Sequence, residues 1–201
     1  MITLVCTGGI GSGKSYVVKI LNRLGIPSYI ADSKAKDLYK RDNQLLSDLV
    51  KLLGDDIVVH GELKRDVMAS KIFPNPELLG KVNDIVHPRV LKDFEEWSRQ
   101  MREQGKEIIV FESAIFFESP VFLHIADKVL VVTAPEDIRI QRVIKRDGIS
   151  EDLIRERIER QMPDSERVLK ADYVIFTDGK RAVLPQVTNL LHKLKREYKI
   201  V

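Results

Sequence analysis

A single cysteine, Cys6, is all that the 201 residues contain. It excludes an intrachain disulfide and any CxxC metal site. No apolar run reaches the length of a membrane-spanning helix. Met1 leads straight into Ile2-Thr3-Leu4-Val5-Cys6, without the basic n-region and cleavage site of a signal peptide. Charge of one sign is scarce too: 33 Lys and Arg stand against 30 Asp and Glu, a net charge of +3. That excess does not imply nucleic-acid binding, although it suits an anionic ligand held in a local basic patch. Internal repeats and low-complexity tracts are missing. Hydrophobic residues at 44% and charged residues at 31% leave the class of soluble globular proteins. A chain of this length buries roughly two-thirds of its unfolded surface and holds one sizeable core. The expectation is one cytoplasmic domain over residues 1–201, without membrane or nucleic-acid partners, as a monomer or small homo-oligomer.

Ile2 to Thr7 is nearly all apolar and ends in Gly8-Gly9. A strand without alternation is one buried on both faces, and such strands belong to parallel sheets. From Lys14 to Leu24 the residues Val17, Val18, Leu21 and Leu24 recur at helical spacing, and Gly25-Ile26-Pro27 stops the helix. Further strands are predicted at Ser28–Ala31, Glu107–Phe111, Lys128–Thr133 and Tyr173–Phe176. Helical pattern separates them, so the fold class is α/β, a mainly parallel sheet flanked by helices. Residues 33–104 break the rhythm with helical segments and no convincing strand, and read as an inserted helical lobe. Within it, Asn43 is expected to cap one helix and Pro88 to open another. A second, Arg-rich insertion is expected over residues 139–165, where Ile154, Ile158 and Met162 form an apolar stripe beneath Arg155, Arg157 and Arg160.

The run Gly8-Gly9-Ile10-Gly11-Ser12-Gly13-Lys14-Ser15 satisfies G-x-x-x-x-G-K-S/T between a buried strand and an amphipathic helix. Its glycines let backbone N–H groups converge on phosphate oxygens, and the N-terminus of the helix adds partial positive charge. Lys14 is expected to reach the β- and γ-phosphates of ATP and Ser15 to ligate Mg²⁺. Gly9, Gly11, Ser12, Gly13, Lys14, Ser15 and Tyr16 are therefore the candidate nucleotide-binding residues. The loop names a nucleotide and not an acceptor. Two inserted lobes suit a phosphotransferase, which must hold its acceptor in line and keep water away. A switch-type GTPase would carry an N-K-x-D motif, and the chain has none.

These residues resemble the dephospho-CoA kinase family. The resemblance runs through Thr7–Ser15, Ala31-Asp32, Gly61-Glu62-Leu63-Lys64-Arg65 and His87-Pro88. It continues with Phe117-Glu118, Arg142, Lys145-Arg146-Asp147, Gln161-Met162 and Ala171-Asp172-Tyr173-Val174-Ile175. It implies a P-loop kinase fold and transfer of the ATP γ-phosphate to the ribose 3′-hydroxyl of dephospho-CoA, the last step of coenzyme A synthesis. The 33–104 lobe would then bind the acceptor and the 139–165 segment would act as a lid. Some positions depart from the family. Ile30 replaces the first residue of an Asp-Ala-Asp run, and the longer Glu112 stands at an acidic position that is usually Asp. Phe176-Thr177 replaces Asp-Asn, which bears on any side-chain contact to the adenine, and Tyr16 replaces Thr.

Each candidate has a plainer alternative. Asp32, just after a strand, reads as the general base for the acceptor hydroxyl or as an N-cap for a helix beginning near Ser33. Glu112 reads as a metal-shell carboxylate or as the end of a strand. Arg142 and Arg146, four residues apart, can address one anion or form a solvated face paired with Asp147 and Glu151. Arg65 reads as a substrate contact or a helix start, and His87 as a substrate contact or a structural histidine. His60, His124 and His192 lack partners at metal-ligand spacing. Lys14, Asp32, Arg142 and Arg146 form the candidate catalytic set, Asp32, Arg65 and His87 the acceptor set, and Ser15 with Glu112 the metal set. Two other functions fit the same motif: a nucleoside or nucleotide kinase of this fold, and a non-catalytic module that senses ATP.

Overall fold

The computed structural model describes residues 1–200. The elements run β1 (Ile2–Thr7), α1 (Lys14–Arg23), β2 (Ser28–Ile30), α2 (Ala31–Arg41), α3 (Asn43–Leu53), β3 (Val58–Val59), β4 (Glu62–Leu63) and α4 (Arg65–Ile72). There follow α5 (Pro76–Glu103), β5 (Ile108–Glu112), β6 (Lys128–Thr133), α6 (Glu136–Asp147), α7 (Glu151–Glu159), α8 (Asp164–Leu169), β7 (Tyr173–Phe176) and α9 (Val183–Tyr198). The chain divides into two compact units, Ile30–Trp97 and the remainder.

The unit that contains both termini is built on a five-stranded sheet in the order β2-β5-β1-β6-β7. β1 lies at its centre, parallel to β5 and β6, with Cys6 in register with Glu112 and Leu130. All six β1 residues are buried. That is why they show no alternation: a central parallel strand has no wet face. The amphipathic stripe Val17, Val18 and Leu21 of α1 is buried, as are Val187, Leu190, Leu191 and Leu194 of α9. The stop after α1 is closed by Gly25 N–H to Asn22 O (3.0 Å) and Ile26 N–H to Leu21 O (3.1 Å). This pairing satisfies carbonyls that the last helical turn leaves open.

The unit Ile30–Trp97 is mostly helical, with a core of Leu38, Leu45, Leu49, Leu53, Ile57, Met68, Val82, Val86 and Val90. Three local expectations are corrected here. A strand pair does occur: β3 and β4 are antiparallel, two residues each. Strands so short carry no alternation to read. What closes them is His60-Gly61, both at positive φ (52° and 80°), the conformation that a two-residue hairpin turn demands. The cap of α3 is Asp42 and not Asn43, because the Asp42 carboxylate accepts from Leu45 N–H (2.8 Å). Pro88 does not open a helix but sits inside the 28-residue α5, which Pro76 opens. A mid-helix proline costs about 3 kcal/mol. Val82, Val86, Val90 and Phe94 are all buried along the same helix, and burial of each is worth about 1.5–3 kcal/mol. The stripe outweighs the proline. In the sheet-bearing unit, α7 stops at Glu159, so Met162 lies beyond the helix that carries Ile154 and Ile158. Among the described residues no helix is long and apolar enough to cross a membrane.

Candidate active site

The loop between β1 and α1 is shaped by its neighbours as much as by its glycines. Gly13 caps α1 in the left-handed region (φ 94°), and a Cβ there would lie 3.1 Å from Thr177 Oγ1. A side chain at this position would be both strained and crowded. Thr177 Oγ1 donates to Ser12 O (2.6 Å) and accepts from Arg142 Nη1 (2.9 Å). The loop closes on itself through Ser12 N–H to Gly9 O (3.2 Å). The Lys14 ammonium donates to Gly8 O (2.9 Å) and Gly9 O (3.3 Å), so carbonyl dipoles hold it over the loop. Ser15 and Tyr16 are exposed on the first turn of α1. Ser12 Oγ is buried and has no hydrogen-bond partner in the protein. An unsatisfied buried hydroxyl in a loop of converging amides matches a site for phosphate oxygens.

Glu112 ends β5 with 7% of its surface exposed, directly across from Cys6. Burial pushes the Cys6 thiol pKa up, Glu112 adds to the rise, and Lys14 opposes it. The carboxylate and the ammonium thus both act on that thiol, which stays protonated and inert. Among the described residues no group of three His, Cys, Asp or Glu could hold a metal alone. A hard cation with few protein ligands takes the rest of its shell from phosphate and water, and the oxygens of Ser15 and Glu112 suit Mg²⁺ in that manner.

The structure separates the two arginines expected to act together. Arg142 reaches Gly11 O (3.4 Å) and Thr177, whereas Arg146 is largely exposed and grips Asp147 through Nε (2.7 Å) and Nη2 (2.8 Å). Two other arginines, which the sequence reading passed over, lie against the loop. Arg139 donates from Nε to Ile10 O (3.0 Å) and Arg167 pairs with Glu118 (2.8 Å), with side chains 5% and 1% exposed. Asp164 stands between them, 3.5 Å from Arg139 and 3.7 Å from Arg167, and accepts from Thr133 Oγ1. Burial pushes the Arg139 pKa down and Asp164 opposes it. The available signal was spacing: Arg139 and Arg142 are three apart and share a helix face.

In the helical unit, α2 begins at Ala31 and its cap position, Ile30, makes no side-chain bond. Asp32 therefore lies inside the first turn and caps nothing, although its charge suits the helix N-terminus. Burial raises the Tyr39 pKa, Asp32 raises it further, and Arg65 lowers it. Burial lowers the His87 pKa, against the pull of Asp84 and Asp32. Asp32, Arg65 and His87 thus share one electrostatic neighbourhood, together with Tyr39, which sequence reasoning missed. Tyr39 follows Asp32 by seven residues, two turns along the same face of α2.

The sequence profile of the dephospho-CoA kinases matches residues 2–182. The chain belongs to the dephospho-CoA kinase family. It is 36% identical over 190 residues to a dephospho-CoA kinase of Bacteroides fragilis, a match that covers 94% of this chain and 91% of that one. Against the dephospho-CoA kinase of Porphyromonas gingivalis the identity is 39% over 196 residues, covering 97% and 95%. A solved structure from Thermus thermophilus superposes with a TM-score of 0.84 at 29% identity, covering 96% of both chains. The family match over residues 2–182 spans the loop, α2 and α6.

Proposed function

We propose that this kinase transfers the γ-phosphate of ATP to the ribose 3′-hydroxyl of dephospho-CoA, giving coenzyme A and ADP in a cytoplasmic setting. The observation that carries the reading is the β1–α1 loop, with Lys14 held on its carbonyls, in a chain of the dephospho-CoA kinase family. Phosphoryl transfer asks a protein mainly for positioning and charge neutralisation. Lys14 would move its donors from the Gly8 and Gly9 carbonyls to the β- and γ-phosphates, and the loop amides would hold the remaining oxygens. Ser15, with Glu112, would hold Mg²⁺, which neutralises charge on the phosphates when bound. Arg142, already at the loop rim, would address the transferring group. Arg146 would join it by exchanging Asp147 for phosphate as the 139–165 segment acts as a lid.

The Ile30–Trp97 unit would serve as the acceptor lobe, close to the 33–104 insertion expected from sequence. Asp32 would take the proton of the attacking hydroxyl, and Arg65 and His87 would orient the acceptor. An ADP-release assay over dephospho-CoA, adenosine and AMP tests the reading. Release that depends on dephospho-CoA supports it. Equal turnover of AMP would point to a nucleotide kinase, and ATP binding without acceptor-dependent release would point to a sensor module.

A further inference from the structure

Ile10 occupies a position that the loop motif leaves unspecified, yet α6, α7 and the chain just beyond α7 engage every part of it. Its side chain packs with Ile149 and Ile158 against the buried cluster Ile140, Val143 and Ile154. Its N–H donates to Gln161 Oε1 (2.9 Å), and its carbonyl accepts from Arg139 Nε (3.0 Å). The next residue, Gly11, has φ 75°, and a Cβ there would lie 2.4 Å from the Arg139 carbonyl oxygen, so the loop rides directly on the α6 backbone.

Both clamps are themselves fixed. Arg139 is tied to Asp164, which Thr133 also holds. Gln161 precedes Met162, whose N–H donates to Glu118 Oε1 (2.9 Å), and Glu118 pairs in turn with the buried Arg167. The helix that supplies Arg139 also carries Arg142 and Arg146. A glycine-rich loop has many conformations, and only a fraction of them present converging amides. Whatever holds the loop in that fraction strengthens nucleotide binding in proportion.

We propose that Ile10 is a positioning residue of the phosphoryl transfer: clamped by Arg139 and Gln161 and seated among the isoleucines of α6 and α7, it couples the shape of the phosphate loop to the arginine-bearing segment. Ile10 touches no reacting atom in this scheme. Its effect is on how much of the loop population is ready for phosphate, and therefore on ATP more than on the acceptor.

The inference rests on the loop's holding ATP phosphates, and the experiment separates the two. Binding of a fluorescent ATP analogue with Mg²⁺ is measured alongside kcat, both KM values and Tm for wild type, Ile10→Ala, Ile10→Val, Gln161→Leu and Ile158→Ala. Loss of loop preorganisation should weaken analogue binding and raise the ATP KM by about tenfold in Ile10→Ala, with the dephospho-CoA KM within about twofold. Ile10→Val should recover to within about threefold of wild type, because it keeps the branched side chain and both backbone bonds. Ile158→Ala removes packing from the same cluster while leaving every loop residue and both backbone clamps of Ile10 in place, and should lower Tm while leaving analogue affinity within about twofold.

Ile10→Ala with unchanged analogue affinity would overturn the proposal. So would an Ile158→Ala protein that loses as much affinity as Ile10→Ala, since general loosening of the segment would then suffice. If Ile10→Ala does not fold, Gln161→Leu decides: about fivefold weaker analogue binding at unchanged acceptor KM is expected, and unchanged binding refutes the clamp. A wild type that binds no analogue refutes the phosphate reading of the loop itself, a separate failure.

Discussion

The phosphate loop and the helical unit Ile30–Trp97 hold their charged groups in opposite ways. Around the loop, the arginine side chains of Arg139 and Arg167 are at most 5% exposed, and backbone groups and carboxylates bind them from several elements. In the helical unit, the ion pairs Lys71–Asp56 (2.5 Å) and Lys81–Glu77 (2.7 Å) are at the surface, and Asp32 and Arg65 are exposed. Exposed pairs contribute little to stability, whereas breaking a buried pair leaves an uncompensated charge and costs several kcal/mol. Phosphate binding is thus built into the fold of one unit. On the proposed reading, acceptor chemistry falls to exposed side chains of the other, Asp32 and Arg65 among them. Substitutions should therefore separate activity from stability cleanly in the helical unit and at the exposed rim of the loop, and not in the buried layer beneath it.

Asp32→Asn puts the sharpest strain on that contrast. It keeps size while removing the charge and most of the basicity. If Asp32 is the base, kcat should fall by about 10²- to 10⁴-fold with ATP affinity within a few-fold. Stability should drop only by the helix-terminus effect, about 0.3–1 kcal/mol. Kinetics and thermal melts on the same preparation check both. An enzyme that keeps half its kcat would move the assignment away from Asp32.

Lys14→Ala carries the same test to the loop rim. The ammonium donates to the Gly8 and Gly9 carbonyls of its own loop. The expected loss in kcat is about 10²-fold or more, from charge stabilisation in a water-excluded site, with Tm nearly unchanged. Near-normal turnover in the folded variant would remove Lys14 from the phosphate site.

How far this contrast could be read in advance depends on the range of the interactions involved. β1, the glycine turn and α1 were legible because a buried strand, positive-φ glycines and a 3.6-residue stripe are local. The five strands were legible for the same reason. The Arg139–Asp164–Arg167–Glu118 layer was not, because its members lie up to 49 residues apart and meet only when α6, α8 and the chain after β5 pack together. Pro88 misled because a local helix-stopping preference was weighed without the stripe from Val82 to Phe94 that overrides it. Arg142 and Arg146 were linked by helical spacing, which places Cα atoms and says nothing of Asp147, the adjacent carboxylate that Arg146 binds. Family resemblance pointed to Gln161, and only the fold gave it a partner in Ile10.

Arg146→Lys sharpens the comparison on its weakest side, an exposed arginine on the helix that also carries the buried Arg139. Lysine keeps the charge and can still pair with Asp147, but it loses the planar fork that matches phosphate. A lid role predicts roughly tenfold lower kcat with Tm unchanged. Steady-state kinetics with saturating ATP measures it. Wild-type kinetics would leave Arg146 as a surface partner of Asp147.

The smallest expected effect belongs to His87, half-buried in the electrostatic neighbourhood of Asp32 and Asp84. Burial holds its pKa below the ordinary 6.5, with Asp84 and Asp32 opposing the shift. The unfolded chain therefore binds this proton more readily than the folded one, so ν for the unfolded state exceeds ν for the native state and stability rises with pH across the window. As pH falls from 7.5, the folded state should lose stability once the unfolded histidine begins to protonate near 6.5, and the loss should level off below the depressed folded value. His87→Asn deletes that contribution and leaves the carboxylates in place. Thermal melts in matched buffers from pH 7.5 to 5 should thus show a shallower decline for the variant than for wild type, the difference growing below pH 6.5. Parallel declines would mean that His87 titrates alike in both states and that its burial carries no electrostatic cost. A steeper decline in the variant would mean that Asp32 and Asp84 outweigh burial, making the surroundings of His87 a site that favours positive charge.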